Sequence, residues 1–86
     1  MIRKQKIVLN EPINVVYEGR VLDVVVRVFE IHLYRSGKPA TVWGKDIRNP
    51  QPQAAPYNFE YLDYESKERI NDIITNSGLP VIWFME

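Results

Sequence analysis

Residues 20–35, RVLDVVVRVFEIHLYR, form the longest β-like run in the chain, and the other segments are placed relative to it. Leu22, Val24, Val26 and Val28 put apolar side chains on even positions, after which Phe29, Ile31 and Leu33 put them on odd ones. Side chains of a strand alternate between its two faces, so the change of phase predicts a bulge or bend at Val28-Phe29. With a bulge there, one face stays apolar along the whole run. The other collects Asp23, Arg27, Glu30, His32 and Tyr34.

On the N-terminal side, residues 6–9 (KIVL) read as a first strand at a sheet edge, closed by the turn-prone Asn10-Glu11-Pro12. Residues 13–17 (INVVY) then lead into Glu18-Gly19. A two-residue hairpin loop at that point sets Val15 opposite Leu22, Ile13 opposite Val24, Asn14 opposite Asp23 and Val16 opposite Val21. This register gathers Ile13, Val15, Leu22 and Val24 on one face.

On the C-terminal side, Ser36-Gly37-Lys38-Pro39 reads as a turn that returns Ala40 and Val42 to the face of Phe29, Ile31 and Leu33. Thr41 and Trp43 then join Glu30, His32 and Tyr34. The pattern breaks down from Gly44. Residues 49–56, NPQPQAAP, carry three prolines in eight positions and predict an extended connection. Tyr57, Phe59 and Tyr61 alternate with polar residues, as in a short strand or an extended arm laid on the body.

One helix is expected from an Asp63 N-cap, with Glu65 in its first turn and Gly78, Leu79 and Pro80 closing it. Leu62, Ile70, Ile73, Ile74 and Ser77 fall near its inner side. Residues 81–84 (VIWF) read as a last strand, also at an edge, or as an apolar tail, with Trp83 buried. The order predicts an α+β fold spanning residues 1–86 as a single small domain. Its antiparallel β-sheet has four or five strands and a bulged long central strand, packed by one C-terminal α-helix and a final short strand. A small open barrel with a capping helix is the alternative.

The 86 residues contain no cysteine, which excludes a disulfide framework and thiolate zinc sites and fits an intracellular, cytoplasmic compartment. Eleven Lys and Arg balance eleven Asp and Glu, so no global field draws the chain to nucleic acid or an anionic membrane. No apolar segment approaches the ~20 residues that span a bilayer. The single histidine, His32, stands without a metal-ligand pattern, and Ser36, Ser66 and Ser77 occupy turn and helix-end contexts rather than a nucleophile elbow. The glycines are isolated, so no phosphate-cradling loop is present. No catalytic residue, cofactor or metal is therefore expected.

What stands out is the supply of aromatic residues, the type from which interface hot spots are built. The residues carry no family motif, and the first reading is a non-enzymatic protein-interaction module: a small accessory, adaptor or inhibitor protein, of a size common among phage and mobile-element inhibitors. Its protein-binding residues would be Arg27, Glu30, His32, Tyr34, Trp43, Tyr57, Phe59 and Tyr61. Equally, the aromatic arm can fold over the sheet as the second half of the core. Either edge strand can pair with a second copy, giving a homodimer by strand addition. The alternative is a small nucleic-acid-binding or regulatory domain using the Arg and Lys residues between Lys38 and Arg48. An enzyme working through His32 is the weakest of the three readings.

Overall fold

The computed structural model describes residues 3–49 and 52–85. In chain order it contains β1 (Arg3–Tyr17), β2 (Val24–Leu33), β3 (Pro39–Asp46), β4 (Ala55–Asn58), a 3-10 turn (Phe59–Tyr61), α1 (Tyr64–Asn76) and β5 (Ile82–Met85). The strands make one curled sheet in the order β4-β3-β2-β1-β5, every pair antiparallel. This is the expected α+β domain. The sheet is open, with β4 and β5 at its edges, so the barrel alternative is not what forms.

The phase change in the central strand is a bulge at the predicted place. Val28 pairs with Gly44 and Glu30 with Trp43, which leaves Phe29 with no partner on β3. Val26 and Val28 before it, and Ile31 and Leu33 after it, are all buried. Phe29 itself leaves the core face, contrary to the simple alternation, because the extra residue of a bulge is the one turned aside. Its ring instead meets the Lys45 ammonium at 5.8 Å.

β1 answers this bulge with one of its own. Val8 faces Glu30 and Ile13 faces Val28, so residues 9–12 stand opposite Phe29 alone. Asn10-Glu11-Pro12 therefore does not end a strand, as its turn chemistry suggested, but swells inside a 15-residue one. Pro12 has no N–H to give a ladder, and a bulge is where a strand tolerates that. The predicted edge at residues 6–9 is likewise corrected: β1 lies between β2 and β5.

The β1–β2 hairpin is longer than expected. Val15 pairs with Val26 and the ladder ends at Tyr17–Val24, a slip of four residues from the register that a Glu18-Gly19 turn implies. An even slip keeps each face, yet it expels Val21 and Leu22, which are 89% and 67% exposed. Gly19 does not take the positive φ that a tight primed turn demands. The far end of β1 is also held from elsewhere: Glu18 N–H donates to the Tyr61 carbonyl (2.8 Å) and Asp63 N–H to that of Val16 (3.0 Å).

β3 sets Val42 opposite Ile31, on the predicted face, and Gly37 (φ 88°) closes the preceding turn. Gly44 does not break the strand but lies buried within it, opposite Val28 and Ala55. A Cβ at that position would overlap the Arg27 carbonyl oxygen. Of the proline-rich stretch, Pro50 and Gln51 lie outside the described residues, and its end is more ordered than a plain connection. Pro56 sits in β4, at an edge where a missing N–H can face away from the ladder.

The helix matches its sequence signals closely. The Asp63 carboxylate accepts from Ser66 N–H at 2.9 Å, and Gly78 takes φ 73° just past the end. Ile70 is fully buried, Ile73 and Ile74 pack against the core, and Ser66 Oγ accepts from Val16 N–H at 2.9 Å. Ser77, expected inward, is exposed and caps the helix through its N–H to the Ile73 carbonyl (3.2 Å). Helix, 3-10 turn and the inner face of the sheet share one core.

Candidate functional site

The outer face of the sheet, away from α1, is built by register. Lys6 pairs with His32 and His32 with Thr41, while Glu30 pairs with Trp43 and Lys4 with Phe84. Residues directly opposite on neighbouring strands share a face, so these side chains form one group. At its centre the Glu30 Oε1 oxygen meets two donors, Lys6 Nζ at 3.1 Å and His32 Nε2 at 3.0 Å. The His32 ring stacks on Trp43 with centroids 4.8 Å apart and takes the ring of Phe84 edge-on at 5.1 Å. Lys6 Nζ lies 4.8 Å from the centroid of that same Phe84 ring.

This packing has electrostatic consequences. Burial depresses the His32 pKa below the ordinary imidazole value, and the Lys6 and Lys4 charges add to that effect, while the Glu30 carboxylate pulls the other way and loses. Burial also pushes Glu30 upward, but the hydrogen bonds and charges of His32 and Lys6 outweigh it and hold the carboxyl below its usual range. The favoured state at neutral pH is a neutral His32 donating from Nε2 to an ionised Glu30. The Nε2–H held by the carboxylate leaves Nδ1 as the basic nitrogen of a ring that Trp43 stacks on and Phe84 meets edge-on. Trp43 Nε1 is buried with no acceptor among the described residues.

The eight residues singled out from the sequence do not form one group. Glu30, His32 and Trp43 come together in this cluster. Arg27 is exposed on the same face, between Asn14 and Lys45, and Tyr34 stands exposed in the β2–β3 turn. Phe59 is buried in the core, Tyr57 is half-buried on the inner side with its ring 5.2 Å from that of Tyr17, and Tyr61 is exposed beside Tyr17 at 6.2 Å. The aromatic arm is thus largely second core, and it does not adjoin His32. Lys6 was missed because it meets His32 through the β1–β2 pairing beyond the bulge, and Phe84 because only the pairing of β5 with β1, more than seventy residues apart in sequence, brings it in. Lys38 and Arg48 also do not form a common hairpin end: they flank β3 at opposite ends, and Arg48 Nε is 3.4 Å from Asp46 Oδ1.

Two further features border the cluster. Clefts of about 390 and 260 Å³ lie on either side of Trp43, the larger towards Tyr34 and Arg35, the smaller towards Phe29 and Lys45. Beyond Phe84 the edge strand β5 presents Ile82, Trp83 and Met85 at 41, 49 and 55% exposure. Trp83 is therefore not the buried residue expected of it. Its ring is covered on one face by the Arg3 guanidinium, 4.7 Å from the centroid.

No group of three or more His, Asp or Glu side chains able to hold a metal ion occurs among the described residues, and no described helix is long and apolar enough to cross a membrane. No family model matches the chain, and neither curated proteins nor solved structures include a match to it.

Proposed function

We propose that this chain is a non-enzymatic protein-interaction module that binds by adding a strand of another protein, or of a second copy, to the β5 edge. The observation that supports this reading is the contrast between the two edges of the sheet. Both edge strands are four residues long, and β4 is guarded by Pro56. β5 reads Ile-Trp-Phe-Met, with neither a proline nor a charge in the strand and three of its four side chains exposed. An open edge of this composition is a template for pairing, since its free N–H and C=O groups supply affinity and its alternate side chains supply selectivity. The tryptophan is the anchor type enriched in such contacts.

Trp83→Lys places a charge on that edge without opening the core. The wild-type chain is expected to self-associate in sedimentation equilibrium or, immobilised, to retain a protein from extract of its native host. The variant should lose this with its melting temperature unchanged. A wild-type chain that stays monomeric and retains nothing, or a Trp83→Lys chain that behaves like it, sinks the proposal.

A further inference from the structure

The charge of this chain is balanced in sum but not in space. At outer positions of β1, β2 and β3 stand Lys6, Arg27 and Lys45 against one carboxylate among the described residues, Glu30. The β2–β3 turn adds Arg35 and Lys38 and no acid. The segment on the other side of the sheet is opposite in sign: Glu60, Asp63, Glu65, Glu68 and Asp72 face only Lys67 and Arg69. A neutral molecule divided in this way still presents a positive field on one side.

That positive side is hollowed where β1 begins and β2 ends. The larger cleft, about 390 Å³, is lined by Arg3 and Lys4 on one side and by Tyr34, Arg35, Thr41 and Trp43 on the other. No carboxylate is among its described lining residues. The contact of Arg3 with the Trp83 ring holds that guanidinium in place, and Tyr34, 60% exposed, has ring surface to offer. Cations alone attract any polyanion. Cations beside an open aromatic ring favour one whose anionic groups alternate with flat rings.

We propose that this cleft binds single-stranded nucleic acid, its phosphates crossing Arg3 and Arg35 and one base stacking on Tyr34. A single strand is required because bases in a duplex are stacked on one another and cannot reach the tyrosine. Stacking and phosphate contacts are sequence-tolerant, so the site discriminates by strandedness and not by base order. The acidic helix side confines the strand to the outer face. The cleft takes no lining residue from β5, and Arg35 and Tyr34 do not touch that strand, so their variants test this proposal while Trp83→Lys tests the edge-pairing one.

The test is fluorescence anisotropy with a labelled oligothymidylate of about ten nucleotides, titrated with the full chain from low to moderate salt. Two phosphate contacts predict a slope of log affinity against log salt of about −1.4. Arg35→Ala should weaken binding and reduce the slope by about 0.7, one contact's share for a single strand. Tyr34→Ala should weaken it by about 5- to 100-fold with the slope unchanged, because stacking releases no counterion. Lys67→Ala, on the acidic side, should change nothing, and a duplex of equal length should bind more weakly. Absence of binding at low salt overturns the proposal. So does displacement of the oligonucleotide by poly-glutamate of equal charge as readily as by unlabelled strand, which would mark the cleft as a site for acidic peptide.

Discussion

Ile31 and His32 are neighbours in sequence and point to opposite faces of β2. Ile31 is fully buried between Ile7 and Val42, among side chains that offer only area and shape. His32 sits among Lys6, Glu30, Trp43 and Phe84, in contacts that depend on charge, tautomer and ring angle. The inner face is closed by α1, whereas among the described residues no helix covers the outer face, which only Pro52 and Ala54 approach beside Trp43. One side of the sheet therefore supplies most of the folding free energy, through apolar burial worth roughly 25 cal/mol per Å². The other holds specific chemistry at little net gain, since partly exposed ion pairs contribute about 0–1 kcal/mol.

The strongest way to test this division is Ile31→Ala, which should destabilise by about 2–5 kcal/mol in urea unfolding, as removal of a buried aliphatic side chain does. A loss under 1 kcal/mol would mean that the inner face is not the core. Gly44→Ala comes next. Its new methyl group meets the Arg27 carbonyl and a Val26 methyl group at the bulge, where the outer and inner phases change over, so a loss of about 1–3 kcal/mol is expected from overpacking. A neutral result would show that β3 stands further from β2 there.

The smallest effect distinguishes the faces by pH. The folded-state pKa of His32 lies below its ordinary value of 6.5, so the unfolded chain takes up this proton first as pH falls. The stability contributed by neutral His32 is complete above 6.5 and is lost as pH drops through the folded value. Glu30, also depressed, adds a second loss below its ordinary 4.5. Unfolding curves at a series of pH values should show both stages in the wild type, and His32→Gln should abolish the first and leave a smaller second, which Lys6 still supports. A His32→Gln chain with the wild-type profile down to pH ~5 would show that His32 is not buried as described.

Much of this was legible because it is local. The α1 caps at Asp63 and Gly78 follow from short-range hydrogen bonding and backbone freedom, and the bulge follows from a strict period of two. The hairpin at Glu18-Gly19 was misread because its register is set from outside: Tyr61 and Asp63, more than forty residues later, hold the end of β1. Trp83 was misread for a related reason. An apolar strand looks the same in sequence whether it is central or at an edge, and only the pairing of β5 on β1 leaves one of its sides open. Balanced net charge likewise concealed the sign difference between the two sides, which exists only once strands and helix are placed.

Period, capping and turn residues thus determined the element types, the inner apolar face and the bulge at Phe29, because each depends on residues a few positions apart. Tertiary structure decided the strand order, the separation of Phe59 in the core from Tyr61 at the surface, and the meeting of Lys6, Glu30, His32, Trp43 and Phe84. Those depend on which strand lies beside which, and that is settled by how the whole chain buries its apolar area at once.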